Sequence, residues 1–246
     1  MEVHFMFFTD EVGIEFTMFG IWHLIPIILT AIGVIVIYLL RDKLRNFKYE
    51  KRLRYIIATL GILFELALHL WKVGNGLWTY HHDIPLHLCS LSLFAGVFVM
   101  YTKNYKVFEI SYFWAVGGLI SIMFPDIVFG PDRFRYYQFL FSHMIFFWMF
   151  MYMRFVHNFN VNNKSFLKST TLLLIIVLGL LLPLNLLIDS NYMFLLRSDG
   201  TPFEMFEGNG LFMYVTLVIV MSYVVIGIWY LPVFISNKLK EKKLRP

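Results

Sequence analysis

The chain has 246 residues and a formal net charge of +5; 59% of its residues are hydrophobic, 19% aromatic and only 15% charged. Soluble globular domains carry about 25% charged residues, so this composition excludes a water-soluble globule and indicates a polytopic membrane protein. The basic balance does not call for nucleic acid as a partner, because basic clusters beside membrane spans face anionic lipid headgroups.

Seven apolar stretches follow one another along the chain, each close to the ~20 residues that a helix needs to cross a ~30 Å hydrocarbon core. Helices are predicted for all seven, because an isolated strand cannot satisfy its backbone hydrogen bonds in lipid. No repeat or soluble domain is visible, so the predicted fold is all-α, a seven-transmembrane-helix bundle that forms one domain over residues 1–246. The stretches lie at about 19–40, 55–76, 85–101, 107–125, 137–154, 167–188 and 210–234.

The basic residues lie mostly in alternate connections between these stretches, which predicts the orientation of the bundle. The other set of connections holds only Lys72, Arg133, Arg135 and Arg197. The positive-inside rule therefore predicts a multi-pass protein of the cell membrane with its N-terminus outside and its C-terminus in the cytoplasm. The residues of the basic side are Arg41, Lys43, Arg45, Lys48, Lys51, Arg52, Arg54, Lys103, Lys106, Arg154, Lys164, Lys168, Lys238, Lys240, Lys242, Lys243 and Arg245.

Residues 81–90, which read HHDIPLHLCS, form the most specific cluster of reactive side chains. Asp83 is predicted to cap the third helix, with Pro85 tolerated in its first turn. Cys89, the only cysteine, then lies in the second turn, where the helix dipole favours a thiolate and a neighbouring histidine can act as its base. The plain alternative is a small buried hydrophobic residue, and with no second cysteine an intramolecular disulfide is excluded.

Further ionisable or polar side chains lie inside the apolar stretches, where each is by default a candidate for function. His143 lies about two turns into the fifth stretch among aromatic residues, which favours its neutral, basic form. Glu65 and His69 are four residues apart and share one helical face. His87 points away from the face of Cys89, and Asn185 ends the sixth stretch. For each of them, a structural hydrogen bond between helices is the alternative.

The estimated depths of these candidates coincide. With a rise of 1.5 Å per residue, His69, Cys89 and His143 lie roughly 7–11 Å below the outer boundary. Residues that only pack helices together would scatter through both leaflets. The shared layer therefore indicates an active site or a binding cavity in the outer half of the bilayer.

Five short motifs carry a family resemblance that extends over nearly all of the chain. They are WHLIP at 22–26, the Glu65/His69 pair, LHLCS at 86–90, FPD at 124–126 and FSH at 141–143. In these the chain resembles the YwaF-type bacterial integral membrane proteins. That family is similar to eukaryotic transmembrane acyltransferases that make ether phospholipids and, more distantly, to intramembrane hydrolases of fatty-acid esters. The resemblance implies Cys89 as the acyl-accepting nucleophile and His143 as its partner.

The favoured interpretation is a lipid acyltransferase that uses membrane lipids as acyl donor and acceptor. Cys89 would attack the ester carbonyl while His143 takes its proton, and a lipid hydroxyl or water would resolve the thioester. Glu65 and His69 would orient the site, and His87 or Asn185 would donate to the oxyanion.

A metal or other cofactor is not expected. Three histidines in different spans could bind zinc, but no ligand spacing of the HExxH or CxxC kind is present. The alternative function is a non-enzymatic transporter or ligand-binding protein in which Glu65 and the histidines form a relay. Transporters often show broken helices and internal repeats, which the sequence lacks.

The predicted orientation can be tested by cysteine accessibility in a Cys89→Ser background. A cysteine introduced in the 189–209 loop should react with an impermeant thiol reagent added to intact cells, and one introduced at Lys240 should react only after permeabilisation. Labelling at Lys240 from outside would contradict the orientation.

Overall fold

The computed structural model describes the backbone of residues 6–243 and the side chains of residues 6–239, and its regular structure is helical. In this part of the chain the only β pairing is one isolated antiparallel bridge between Glu15 and Phe129. The α-helices of the bundle are α1 (Ile21–Arg45), α2 (Glu50–Gly74), α3 (Leu88–Thr102), α4 (Tyr105–Ser111), α5 (Val116–Met123), α6 (Phe134–Phe155), α7 (Asn163–Ile176), α8 (Leu182–Ile188) and α9 (Leu211–Lys243). A π-helical turn at Val177–Leu181 joins α7 to α8.

Five helical segments of the described chain are long and apolar enough to cross a membrane. The helical membrane fold is therefore confirmed, while the count of seven crossings and the orientation stay predictions. The other two helical stretches differ from these five: α3 has 15 residues, about 22 Å against a core of ~30 Å, and α6 carries several polar residues. The five segments are Ile21–Arg45, Glu50–Gly74, Tyr105–Met123, Asn163–Ile188 and Leu211–Leu239.

Helix α6 lies at the centre of the bundle, packed against α1, α2, α3 and α5, and most of its residues are buried. Small residues let the neighbours approach closely. A Cβ atom at Gly118 of α5 would lie 2.5 Å from the Phe146 ring, and one at Gly33 of α1 would lie 2.3 Å from the Trp148 ring. Because these helices shield α6 from lipid, it can carry polar side chains inside the bundle.

The predicted fourth span, 107–125, is divided into α4 and α5. Between them, Trp114 N–H donates to Ser111 O at 3.0 Å and Gly117 N–H to Trp114 O at 2.9 Å, so tighter i→i+3 bonds replace the α-helical pattern. The aromatic side chains of 112–114 are buried in the core at this point. The predicted span therefore contains a turn of tighter hydrogen bonds at 112–115, while Tyr105–Met123 as a whole remains long and apolar enough to cross a membrane.

The start of α3 also differs from the prediction. The helix begins at Leu88, with His87 at the N-cap position and no side-chain cap. Asp83 does not cap it: its carboxylate pairs with Lys72 and accepts the Thr79 N–H at 2.8 Å. Cys89 consequently lies in the first turn of α3 instead of the second, closer to the free N–H groups of the helix terminus.

One end of the bundle, here called the basic end, is joined by the half-buried carboxylate of Glu50. Glu50 Oε1 accepts from His157 Nε2 at 2.7 Å, Arg54 Nε at 3.1 Å and Tyr152 OH at 3.2 Å, and Glu50 Oε2 lies 3.6 Å from Lys103 Nζ. Burial lowers the pKa of His157, against the opposite effect of its bond to Glu50. The connections α1–α2, α3–α4 and α6–α7 therefore meet at one end, as their shared basic character predicts.

The opposite end is closed in part by the N-terminal segment. Arg133 Nε donates to Glu11 O at 2.8 Å, and the Ile14 N–H lies 3.1 Å from both carboxylate oxygens of Asp132. Trp71 Nε1 donates to Phe8 O at 2.7 Å. These bonds fasten residues 8–14 to the ends of α2 and α6 and leave the loops 75–87, 124–133 and 189–210 around the remaining opening.

Glu50→Gln should lower the free energy of unfolding in detergent micelles by about 3 kcal/mol, because it leaves Arg54 buried without its carboxylate. Asp42→Asn is the matched control: its partner Arg45 and Asp42 itself are 35% and 65% exposed, so the loss there should stay below about 1 kcal/mol. Denaturant titration of the two purified variants measures the difference. Equal losses would show that Glu50 does not hold the basic end together.

Candidate functional site

A cavity of about 480 Å³ extends from the interior of the bundle to the loops opposite the basic end. This volume suits a small molecule or one part of a lipid. Helices α2, α3, α5, α6 and α9 form its walls. Five of the six residues predicted for the site line it: Cys89, His143, Glu65, His69 and His87.

Cys89 lies in the α3 wall of the cavity, with its Sγ atom 3.5 Å from Ser121 Oγ of α5. No acceptor within the described chain bonds the N–H groups of Leu88, Cys89 or Ser90. The thiol therefore lies beside the free N–H groups of an uncapped helix terminus. In the described residues no hydrogen bond joins Cys89 to His143, although both line the cavity; such bonds often tighten only when substrate is bound.

His143 projects from α6 with its ring in a fixed orientation. Its Nδ1 atom lies 2.7 Å from Phe139 O, and because a carbonyl oxygen can only accept, Nδ1 carries the hydrogen. Nε2 of the neutral ring is then an acceptor. The rings of Phe139 and Phe146 flank it, with centroids 4.2 Å and 5.4 Å away. Of the two ring nitrogens, Nε2 is thus the one that carries the lone pair.

Glu65 and His69 face each other on α2, with 3.8 Å between Glu65 Oε1 and His69 Nε2. Trp78 Nε1 donates to His69 Nδ1 at 3.0 Å, so the hydrogen of the neutral ring is on Nε2 and faces the carboxylate. Glu65 Oε1 also accepts from Ser90 Oγ at 2.9 Å. The pair therefore connects α2 to the residue that follows Cys89.

His87 and Asn185, both predicted as donors to an oxyanion, have different surroundings. His87 Nδ1 accepts the Met193 N–H at 3.3 Å, which leaves an N–H on Nε2 in the cavity wall. Asn185 is fully buried and is not part of the lining. Its amide donates to Tyr192 O at 2.9 Å and accepts from Tyr192 N–H and Ser190 Oγ at 2.9 Å and 2.7 Å. The chain turns back over α8 here, so this amide fastens a loop and is not free for substrate.

Ser121 and Arg135 line the cavity and were not predicted as site residues. Ser121 is one serine in an apolar helix, and nothing in the sequence distinguishes it. Arg135 entered the sequence analysis only as a positive charge. Its spacing was nevertheless informative, because Arg135, Phe139 and His143 recur every four residues on one face of α6. Within the described residues, no three His, Cys, Asp or Glu side chains are grouped so that they could hold a metal ion.

Acidic side chains lie where the cavity adjoins a second one. Asp126 lines both this cavity and an adjoining one of about 540 Å³, which the loop residues Thr201 and Glu204 also border. Burial raises the pKa of Asp126, and the positive charge of Arg135 partly counters that effect. Asp199 lines the inner cavity beside them.

Comparison with known proteins matches residues 18–231 of the chain to the model of the TMEM164 family. A curated relative is an uncharacterized protein of Treponema pallidum (strain Nichols), 26% identical over 136 residues. The match covers 53% of this chain and 54% of that protein, so the chain spans about half the length of the curated relative. No solved structure matches the chain.

Asn185→Ala should destabilise the fold without altering the cavity, because it leaves the polar groups of Ser190 and Tyr192 without partners. We expect a loss of about 1–3 kcal/mol in the free energy of unfolding. The alkylation rate of Cys89 by a membrane-permeable maleimide, measured below the unfolding transition, should equal that of the wild type. A changed rate in a variant of unchanged stability would assign Asn185 to the site instead.

Proposed function

The chain belongs to the TMEM164 family, and from that premise we propose that it is a membrane acyltransferase that moves fatty-acyl groups between lipids through a thioester on Cys89. The observation that carries the proposal is the position of Cys89 in an uncapped first helical turn, in the wall of a cavity that His143 also lines. The reaction takes place in the outer half of the cell membrane, in a bundle of seven crossings.

The reaction begins when His143 Nε2 takes the proton of the Cys89 thiol. Sγ attacks the carbonyl carbon of the donor ester, and a tetrahedral oxyanion forms. The ester C–O bond then breaks, the leaving oxygen takes the proton from Nε2, and the acyl group remains as a thioester. The acceptor hydroxyl next gives its proton to Nε2 and attacks the thioester carbonyl, and the thiol is restored with that proton.

Two sets of donors are suited to the oxyanion. The N–H groups of Cys89 and Ser90 lie in the same helical turn as the thiol and have no acceptor in the described chain. The N–H at His87 Nε2 is in the same wall, its tautomer set by the bond that Nδ1 accepts from Met193. Donors held in place before the reaction stabilise developing charge without reorganisation.

Glu65 has a positioning role in this proposal. Its bond to Ser90 fixes the first turn of α3 against α2, and its neighbour His69 is held by Trp78. The acyl chain is received by the apolar part of the cavity, which includes Phe146 of α6 and Val225 of α9. Because these walls limit the access of water, transfer to a lipid hydroxyl is favoured over hydrolysis.

The alternative is a transporter or ligand-binding protein in which Glu65 and the histidines form a relay. The contact between Glu65 and His69 is compatible with it, but a relay makes no use of a cysteine in an uncapped helix terminus. The two functions therefore differ in their dependence on Cys89.

Cys89→Ala and His143→Ala should each lower acyl transfer between lipids by roughly a thousandfold or more, with the double variant hardly worse, because members of a catalytic unit are not additive. The control is Ser222→Ala, a cavity residue whose hydroxyl bonds Val218 O of its own helix; it should stay near wild-type activity.

Mass spectrometry supplies the direct observation. Incubation with a lipid donor should add one acyl group to Cys89, with more of it present when the acceptor is withheld. Normal transfer by Cys89→Ala would refute the mechanism and leave the relay as the better explanation.

A further inference from the structure

The hydroxyl of Ser121 has one hydrogen-bond partner in the described chain, the sulfur of Cys89 at 3.5 Å. A hydroxyl inside a helix often gives its hydrogen to the carbonyl four residues earlier, as Thr30 and Ser222 do at 2.7 Å and 2.8 Å. Ser121 makes no such bond within the described part of α5. Its hydrogen is therefore left for the wall of the cavity, where the thiol lies.

Helix α5 packs closely against the helices that carry both reactive groups. A Cβ atom at Gly118 would lie 3.2 Å from His143 O of α6, and one at Gly117 would lie 3.5 Å from the Leu88 side chain of α3. Gly117 and Ser121 are four residues apart and share one face of α5. The short side chain of Ser121 is thus held beside the sulfur by the packing of the backbone.

An anion formed at the sulfur of Cys89 lies in surroundings that disfavour it. Glu65 accepts a hydrogen bond from the next residue, Ser90, at 2.9 Å, so a carboxylate is already close to the first turn of α3. Two negative charges close together in a site that has lost water disfavour each other. Among the described residues, no cation contacts the sulfur. A thiolate at this place therefore needs a neutral donor.

The hydrogens available to the two atoms decide the direction of their bond. In the resting thiol, either Ser121 or Cys89 can donate. Once His143 Nε2 has taken the thiol proton, the sulfur has no hydrogen and can only accept, so the hydroxyl donates. Hydrogen bonds to an ionised acceptor are roughly twice as strong as neutral ones. The contact is therefore stronger with the thiolate than with the thiol.

The same donor acts in the second half of the proposed reaction. When the acceptor hydroxyl attacks the thioester, the C–S bond breaks and its electron pair goes to the sulfur. The sulfur leaves as a thiolate and then recovers a proton from His143 Nε2. Ser121 keeps its own proton in both halves, so no further acid or base is required.

We propose that Ser121 is a catalytic residue whose hydroxyl donates to the sulfur of Cys89 and stabilises the thiolate, both when the sulfur gives its proton to His143 and when it leaves the thioester. The two acyl-transfer steps rest on the proposed function. The hydrogen bond to the thiolate does not, because it needs only the ionisation of Cys89.

The pH dependence of Cys89 alkylation tests this bond. The thiolate is the form that reacts with a maleimide, and Cys89 is the only cysteine, so the rate in the full chain in detergent micelles reports one site. Ser121→Ala should move the rate curve to higher pH and slow alkylation about tenfold on its rising part, because a hydrogen bond to ionised sulfur is lost. The rate at the alkaline plateau should not fall, because the access to the cavity is unchanged.

Three further variants separate the hydrogen bond from a change in packing. Ser121→Thr keeps the hydroxyl and should follow the wild-type curve. Ser121→Gly removes the hydroxyl without a methyl group and should follow Ser121→Ala, so the test does not depend on the folding of one variant. Ser222→Ala removes another cavity hydroxyl, whose hydrogen is already given to Val218 O, and should behave like the wild type. A distorted cavity would instead change the plateau rate.

Acyl transfer gives the second readout. Ser121→Ala should lower kcat about tenfold and leave KM unchanged, because the bond strengthens only when the sulfur is charged. Ser121→Thr should retain most of the wild-type kcat.

The proposal is overturned if Ser121→Ala and Ser121→Gly follow the wild-type alkylation curve, or if Ser121→Thr or Ser222→Ala moves the curve as far as Ser121→Ala does. A thioester on Cys89 together with an unmoved curve in Ser121→Ala would keep the proposed function and refute the role of Ser121. A moved curve without any thioester in the wild type would refute acyl transfer and keep Ser121 as the donor to the Cys89 thiolate.

Discussion

The rest of the structure depends on the shielding of α6 from lipid. A helix that carries Arg135, Gln138, Ser142 and His143 could not face hydrocarbon, where each exposed polar group is costly. The apolar helices α1, α2, α3 and α5 surround it, and close approach at Gly33 and Gly118 leaves no room for lipid between them and α6. The polar groups of α6 are thereby collected on the inside, where a cavity can form around them.

The same shielding explains why α3 can be short. It packs against α2 and α6, and residues 88–90 of its first turn line the cavity. Asp83 is engaged by Lys72 and Thr79 and leaves the helix terminus uncapped. Free N–H groups beside Cys89 thus follow from an ion pair several residues away. Glu65 then fixes this turn through Ser90.

The two ends of the bundle use charge in different ways. At the basic end, Glu50 at the start of α2 contacts Arg54 of the same helix, His157 of the α6–α7 connection and Lys103 of the α3–α4 connection. Opposite charges are thus paired, and the loops are held together. At the other end, Asp126 and Arg135 both line the cavity without a direct ion pair between them. Ion pairs are present at both ends, but at the second end they leave Arg135 and Asp126 in the cavity wall.

Sequence alone determined the helical membrane fold, and five of the six residues that it predicted for the site line the cavity. Composition and the length of the hydrophobic stretches are sufficient to predict the membrane fold. The site residues could be predicted because ionisable side chains within apolar stretches are costly unless they lie together in a polar cavity. Glu65 and His69 were paired correctly because a spacing of four residues is a local property of a helix. The meeting of the basic connections at one end could likewise be predicted. Consecutive spans run in opposite directions, so every second connection lies at the same end of the bundle.

Only the tertiary structure decided which polar residues share the cavity and which hold the fold. Asn185 and His87 were equivalent candidates by sequence, but the loop that turns back over α8 occupies the amide of Asn185, while His87 keeps one N–H in the cavity wall. Ser121 lies beside Cys89 because α3 and α5 contact each other, and Arg135 is brought into the cavity wall beside Gln138 and Phe139. These outcomes depend on contacts between residues that are far apart in the chain. Local sequence patterns do not predict such contacts.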